Sequence, residues 1–96
     1  MKKVLVQFSF PGVTSKQYDQ VWDELRKAGF DHPQGLVHHT SAQQGNNWIV
    51  VDVWESENHF KKFGETLMPI LKKVNVPSIQ PIVSPVYYEL VNEVHA

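Results

Sequence analysis

The sequence predicts an α+β domain in which two amphipathic helices cover one face of a four-stranded antiparallel sheet. Three observations carry this. Four segments have strand length and strand patterning, two others carry apolar stripes at helical spacing behind good N-caps, and their order is β-α-β-β-α-β. The stretch Trp48 to Phe63 is the most telling, because a strand apolar on both faces runs straight into a capped helix. The 96 residues are expected to form one domain, 1–96, near the size at which a single core becomes marginal. Apolar residues at 42% against 20% charged place the chain among globular sequences rather than disordered ones.

The first strand spans Lys3 to Phe10, with Val4, Val6, Phe8 and Phe10 on one parity and Leu5, Gln7 and Ser9 on the other. Pro11-Gly12 stops it. Thr14 followed by Gln17 matches a capping box, in which hydroxyl and amide each satisfy an orphan backbone group. In the first helix Tyr18, Val21, Trp22, Leu25 and Ala28 form the apolar stripe, and Gly29 is the expected C-terminal cap. The second strand is Leu36 to Ala42, and Gln43 to Asn47 forms a polar hairpin turn into the third, Trp48 to Glu55.

Ser56 caps the second helix, whose stripe is Phe60, Phe63, Leu67, Ile70, Leu71 and Val74. Pro69 lies roughly opposite that stripe, so the expectation is one helix bent convex to solvent rather than two. Val76-Pro77 ends it. The last strand is placed at Ile79 to Val91, at a sheet edge or bulged near Pro85, because Pro81 and Pro85 lack the donor a central strand must offer.

Right-handed crossovers put both helices on one side of the sheet, the ferredoxin-like arrangement. Strands one and three carry apolar side chains at both parities, so the other sheet face needs a cover. A second copy meeting it face to face is the simplest one, and a homodimer is expected.

Composition also argues against several functions. Nine Lys and Arg against ten Asp and Glu, with no basic run, disfavour nucleic-acid binding. The sequence has no cysteine, hence no disulfide, thiolate nucleophile or thiolate metal site. Residues 1–8 alternate too soon for a signal segment and no apolar run approaches membrane-spanning length, so a cytoplasmic protein without membrane association is expected.

The step Val53-Trp54-Glu55-Ser56 into Phe60 and Phe63, with Leu36 to Thr40 less firmly, resembles the dimeric α+β barrel superfamily, in particular its antibiotic-biosynthesis-monooxygenase-like branch. The resemblance implies two sheets closing a barrel, each subunit keeping a pocket between its own sheet and helices. It implies cofactor-free oxygenases on polyketide-type aromatics, haem degraders, or small proteins without assigned activity as relatives. Haem-degrading members take their iron ligand from a histidine within the second helix; Phe60 to Val76 contains none, and no cofactor is expected. Trp54 matches the tryptophan such enzymes place in the pocket.

His38 and His39 point to opposite faces of their strand. With Gly45-Asn46 as a two-residue turn, His39 stands opposite Asp52, on the face shared by Val50 and Trp54; a one-residue shift brings His38 there instead. His39 is preferred, because such turns favour Gly and Asn. Two readings of the pair stand side by side. In one, His39 and Asp52 are a satisfied polar pair that holds hairpin register. In the other they line a pocket with Trp54, Trp22, Val50, Phe63 and, at its mouth, His59; Asp52 holds the imidazole in one tautomer while its other nitrogen removes a proton from a phenol-like substrate. A metal site is disfavoured, since no third ligand is spaced to join them. His32 and His95 read as loop and tail residues, and one of Tyr87 and Tyr88 is expected to pack while the other reaches a dimer partner. The functional expectation is a small apolar or aromatic ligand held between sheet and helices, the alternative a cofactor-independent monooxygenase with His39 as general base.

Overall fold

The computed structural model describes residues 2–92, and His95 lies outside that range. The elements are β1 (Val4–Pro11), α1 (Ser15–Lys27), β2 (Leu36–Gln44), β3 (Asn47–Trp54), α2 (Glu57–Lys73) and β4 (Ile82–Pro85). All strand pairs are antiparallel, in the order β2-β3-β1-β4. This is the ferredoxin-like α+β fold. The expected edge position of β4 holds.

The helices start and stop on local chemistry. Thr14 and Gln17 close the capping box, with Gln17 N–H on Thr14 Oγ1 at 3.2 Å and Thr14 N–H on Gln17 Oε1 at 3.0 Å. Both C-termini are Schellman motifs: Phe30 N–H reaches the Leu25 carbonyl behind Gly29 at φ 83°, and Val76 N–H reaches the Leu71 carbonyl behind Asn75 at φ 63°. Helix α2 runs unbroken through exposed Pro69.

The core lies between the helices and the parity of β1 and β3 that carries Val4, Val6, Phe8, Phe10, Val50 and Trp54, closed from the helix side by Val21, Leu25 and Leu71. The opposite face carries Leu5, Ile49, Val51 and Val53, all half-buried. Strand β4 is much shorter than Ile79 to Val91. Prolines bracket it: Pro81 precedes the first paired residue and Pro85 is the last, with only Val86 N–H continuing to the Lys3 carbonyl at 3.0 Å. Within the single chain Tyr87 and Tyr88 are both exposed, so neither packs as the sequence suggested.

Two carboxylates fasten elements that are distant in sequence. Glu24 on α1 bonds Lys73 on α2, and Glu89 bonds Lys3 at 2.7 Å and lies 3.0 Å from His38 Nε2. Each carboxyl is held below the usual Glu range, first by its lysine hydrogen bond, which outweighs the opposing effect of burial, with lysine charge adding a smaller lowering. A depressed folded-state value means these ties are fully present above the ordinary Glu range and are lost as pH falls through the lowered values. Urea midpoints should therefore fall on acidification below about pH 4.3, and a Glu24→Gln, Glu89→Gln double variant should show a flatter fall. An identical pH slope in that variant would refute the assignment.

Candidate ligand site in the sheet-helix cavity

The hairpin sets the register. Gly45, at φ 59°, and Asn46 form the two-residue turn between Gln44 and Asn47, with positive φ at the first position only, as in a type II′ turn. From there the ladder brings His39 opposite Asp52 and His38 opposite Val53. His39 and Asp52 thus point to the helix side, with the side chain of Asp52 8% and that of His39 21% exposed.

A buried carboxylate on a sheet needs a donor. His39 supplies it: Nδ1 lies 2.6 Å from Asp52 Oδ1. Since a carboxylate only accepts, Nδ1 carries the hydrogen; Nε2 lies 2.6 Å from the Tyr18 hydroxyl and accepts its hydrogen whenever the ring carries no second proton. The result is a chain Tyr18–His39–Asp52 from helix α1 to the centre of the sheet. Its imidazole lies nearly parallel to the Tyr18 ring, with centroids 6.0 Å apart across the hydrogen bond, and edge-on to Trp22 at 5.1 Å between centroids.

Beside this chain lies a cavity of about 70 Å³ between the sheet and the two helices. Of the residues singled out from sequence, His39, Asp52, Trp54, Trp22, Val50 and Phe63 line it. His59 does not. Its Nδ1 lies 2.6 Å from Ser56 Oγ, which also accepts the His59 backbone N–H at 3.2 Å, so the ring is drawn into the N-cap of α2. There it sits beneath Gly35, where a Cβ would lie 2.4 Å from His59 Cγ. Capping geometry holds the ring away from the cavity mouth.

Sequence reasoning missed two polar contributors. Tyr18 was counted as core, although a tyrosine on a buried stripe needs a partner for its hydroxyl, which is the signal that could have found it. Trp48 lines the same cavity with its ring 5.2 Å from Tyr18, and its buried indole N–H, like that of Trp54, has no hydrogen-bond partner among the described residues. Among the described residues no three His, Asp or Glu side chains cluster as a metal site would require, and no helix is long and apolar enough to cross a membrane.

The strand order and the two helices on one sheet face define a small ferredoxin-like α+β protein. No family profile and no curated protein sequence matches it. Solved structures do. The cofactor-independent oxygenase SnoaB from Streptomyces nogalater superposes with TM-score 0.66 at 15% identity, covering 96% of this chain and 100% of its own. A dimeric ferredoxin-like protein from an uncultured marine organism gives 0.62 at 16% identity over 97% of this chain and 95% of its own. A provisionally assigned antibiotic biosynthesis monooxygenase from Chloroflexus aurantiacus gives 0.65 at 8% identity over 93% and 97%. These similarities establish the shared fold, the ferredoxin-like α+β arrangement.

Proposed function

We propose that this protein is a homodimeric α+β barrel of the cytoplasm whose protomers each hold a small apolar or aromatic molecule between sheet and helices. The observation that carries this is the cavity of about 70 Å³ walled by aromatic and aliphatic side chains, with the His39–Asp52 pair set into it. An engineered apolar cavity of roughly 150 Å³ accommodates benzene, so a one-ring ligand requires this cavity to open to about twice its volume, with half-buried Trp22 or Phe63 moving aside. The apolar outer face of β1 and β3, left uncovered by either helix, supports sheet-to-sheet pairing, as does the similarity to a dimeric ferredoxin-like protein. Equilibrium sedimentation should give a dimer at micromolar concentration; a monomer there would end that part of the reading. Small aromatics should quench tryptophan fluorescence and raise the melting temperature, and Asp52→Asn, if still folded, should weaken that binding. Lost stability with unchanged binding would leave the pair as a register-holding contact alone.

A second reading, cofactor-independent oxygenation of a phenol- or quinol-like aromatic with His39 as general base, is favoured by the Tyr18–His39–Asp52 chain. A deprotonated, electron-rich aromatic is the species that meets oxygen, and a histidine held in one tautomer is suited to forming it. The similarity to a cofactor-independent oxygenase supports it at the level of fold. Oxygen uptake with an anthrone or a quinol should fall by about 10²-fold or more in His39→Ala; uptake unaffected by that change would exclude His39 as the base.

A further inference from the structure

We infer that Tyr18 is the group that touches the ligand and relays its proton to His39, which stays the base, with Asp52 acting behind it. The inference rests on the reading of the cavity as a small-molecule site. Both nitrogens of His39 are engaged, Nδ1 with Asp52 and Nε2 with Tyr18, each at 2.6 Å. No lone pair is left on the ring to meet a ligand. The Tyr18 oxygen gives its hydrogen to Nε2 and keeps its own lone pairs as acceptors, on a residue that lines the cavity.

The neighbouring wall fits a hydroxyl as the ligand's polar end. Trp48 lies 5.2 Å from the Tyr18 ring and carries a buried N–H without a hydrogen-bond partner among the described residues. A ligand hydroxyl both donates and accepts, so it can donate to Tyr18 and accept from an indole. A purely acceptor group, such as a ketone, would leave the Tyr18 oxygen without a donor.

The step balances as a transfer of one proton. The ligand O–H bond breaks and leaves its electron pair on the ligand oxygen, while a new O–H bond forms on Tyr18. The original Tyr18 hydrogen passes to His39 Nε2, giving an imidazolium against the Asp52 carboxylate. The hydrogen bond to the ligand then reverses, with Tyr18 donating to the anion it has made. Charge-assisted bonds of this kind are among the stronger ones.

The test uses para-nitrophenol, whose neutral and anionic forms absorb differently, with nitrobenzene as a non-ionisable control. At a pH where the free phenol is mostly neutral, the wild-type protein should bind it with the absorbance of the anion. Tyr18→Phe should reduce the anion-to-neutral ratio of bound para-nitrophenol by about tenfold or more, beyond any change in its affinity for nitrobenzene. Asp52→Asn should lower the ratio too. Should Tyr18→Phe fail to fold, a ring-fluorinated tyrosine at position 18, which keeps the hydroxyl but makes it more acidic, should tighten anion binding several-fold. An anion ratio unchanged in Tyr18→Phe, or unchanged with the fluorinated residue, overturns the role of Tyr18. Neutral para-nitrophenol bound to the wild type overturns the proton transfer, with the cavity reading intact. Failure of both probes to bind removes the cavity reading and this inference together.

Discussion

Trp54→Ala should cost about 3–5 kcal/mol of folding stability, the range for removing a buried aromatic and leaving space behind. Trp54 is fully buried, stands between Val4 of β1 and Leu36 of β2, and packs against Phe63 at 5.2 Å and Phe60 at 6.0 Å. It is therefore where both neighbouring strands and helix α2 meet one side chain. A domain of this size has a total of roughly 5–15 kcal/mol, so the variant should be partly unfolded at room temperature in mild urea. Added indole should restore part of the loss, since a ligand that binds only the folded state stabilises it by mass action. Urea unfolding followed by circular dichroism measures both effects. A loss below 1 kcal/mol would mean that the neighbouring elements do not depend on this ring.

Gly35→Ala should be nearly as damaging, at about 2–4 kcal/mol, although it adds a single methyl group. Gly35 has φ 86°, where a side chain costs about 1–2 kcal/mol. Its Cβ would also lie 2.4 Å from His59 Cγ and 2.7 Å from His59 Cβ. The ring cannot simply swing aside, because its Nδ1 is tied to Ser56 and Ser56 caps α2. His59→Ala in the same chain should recover only the part that comes from overpacking, about 1–2 kcal/mol, because the backbone strain remains. A double-mutant cycle on urea midpoints reads that coupling directly. Strict additivity of the two changes would show that the loop before β2 and the start of α2 do not press on one another.

Features whose determinants lie within a few neighbouring residues were readable in the chain. The Thr14–Gln17 box, the Ser56 cap and the stop at Gly29 depend on hydrogen bonds closed within one helical turn, so residue type and spacing suffice. The register of His39 against Asp52 was readable because a two-residue turn at Gly45-Asn46 leaves one pairing for the whole hairpin. Strand β4 was not. Its length depends on what lies beside it, and Val86 to Asn92 carry strand-like residues without a neighbouring strand to pair with. The apolar stripe of α1 told which side of Tyr18 is buried but not where its hydroxyl would end, since that depends on a histidine 21 residues away. The position of the His59 ring was not legible, because a hydrogen bond to the cap and not the apolar face orients it.

Strand β2 carries one irregularity: Leu36 and Val37 together oppose Trp54, after which the ladder resumes at His38 with Val53. Leu36 and His39 consequently both look toward the helices although an odd spacing separates them. This gives the chain one residue of slack. Were Val37 deleted, Leu36 could remain opposite Trp54 and the whole hairpin from His38 onward would keep its partners. The strand thus works as a splice between two lengths of backbone, one setting the wall of the cavity and the other the loop, and changes in loop length need not be transmitted to the histidine.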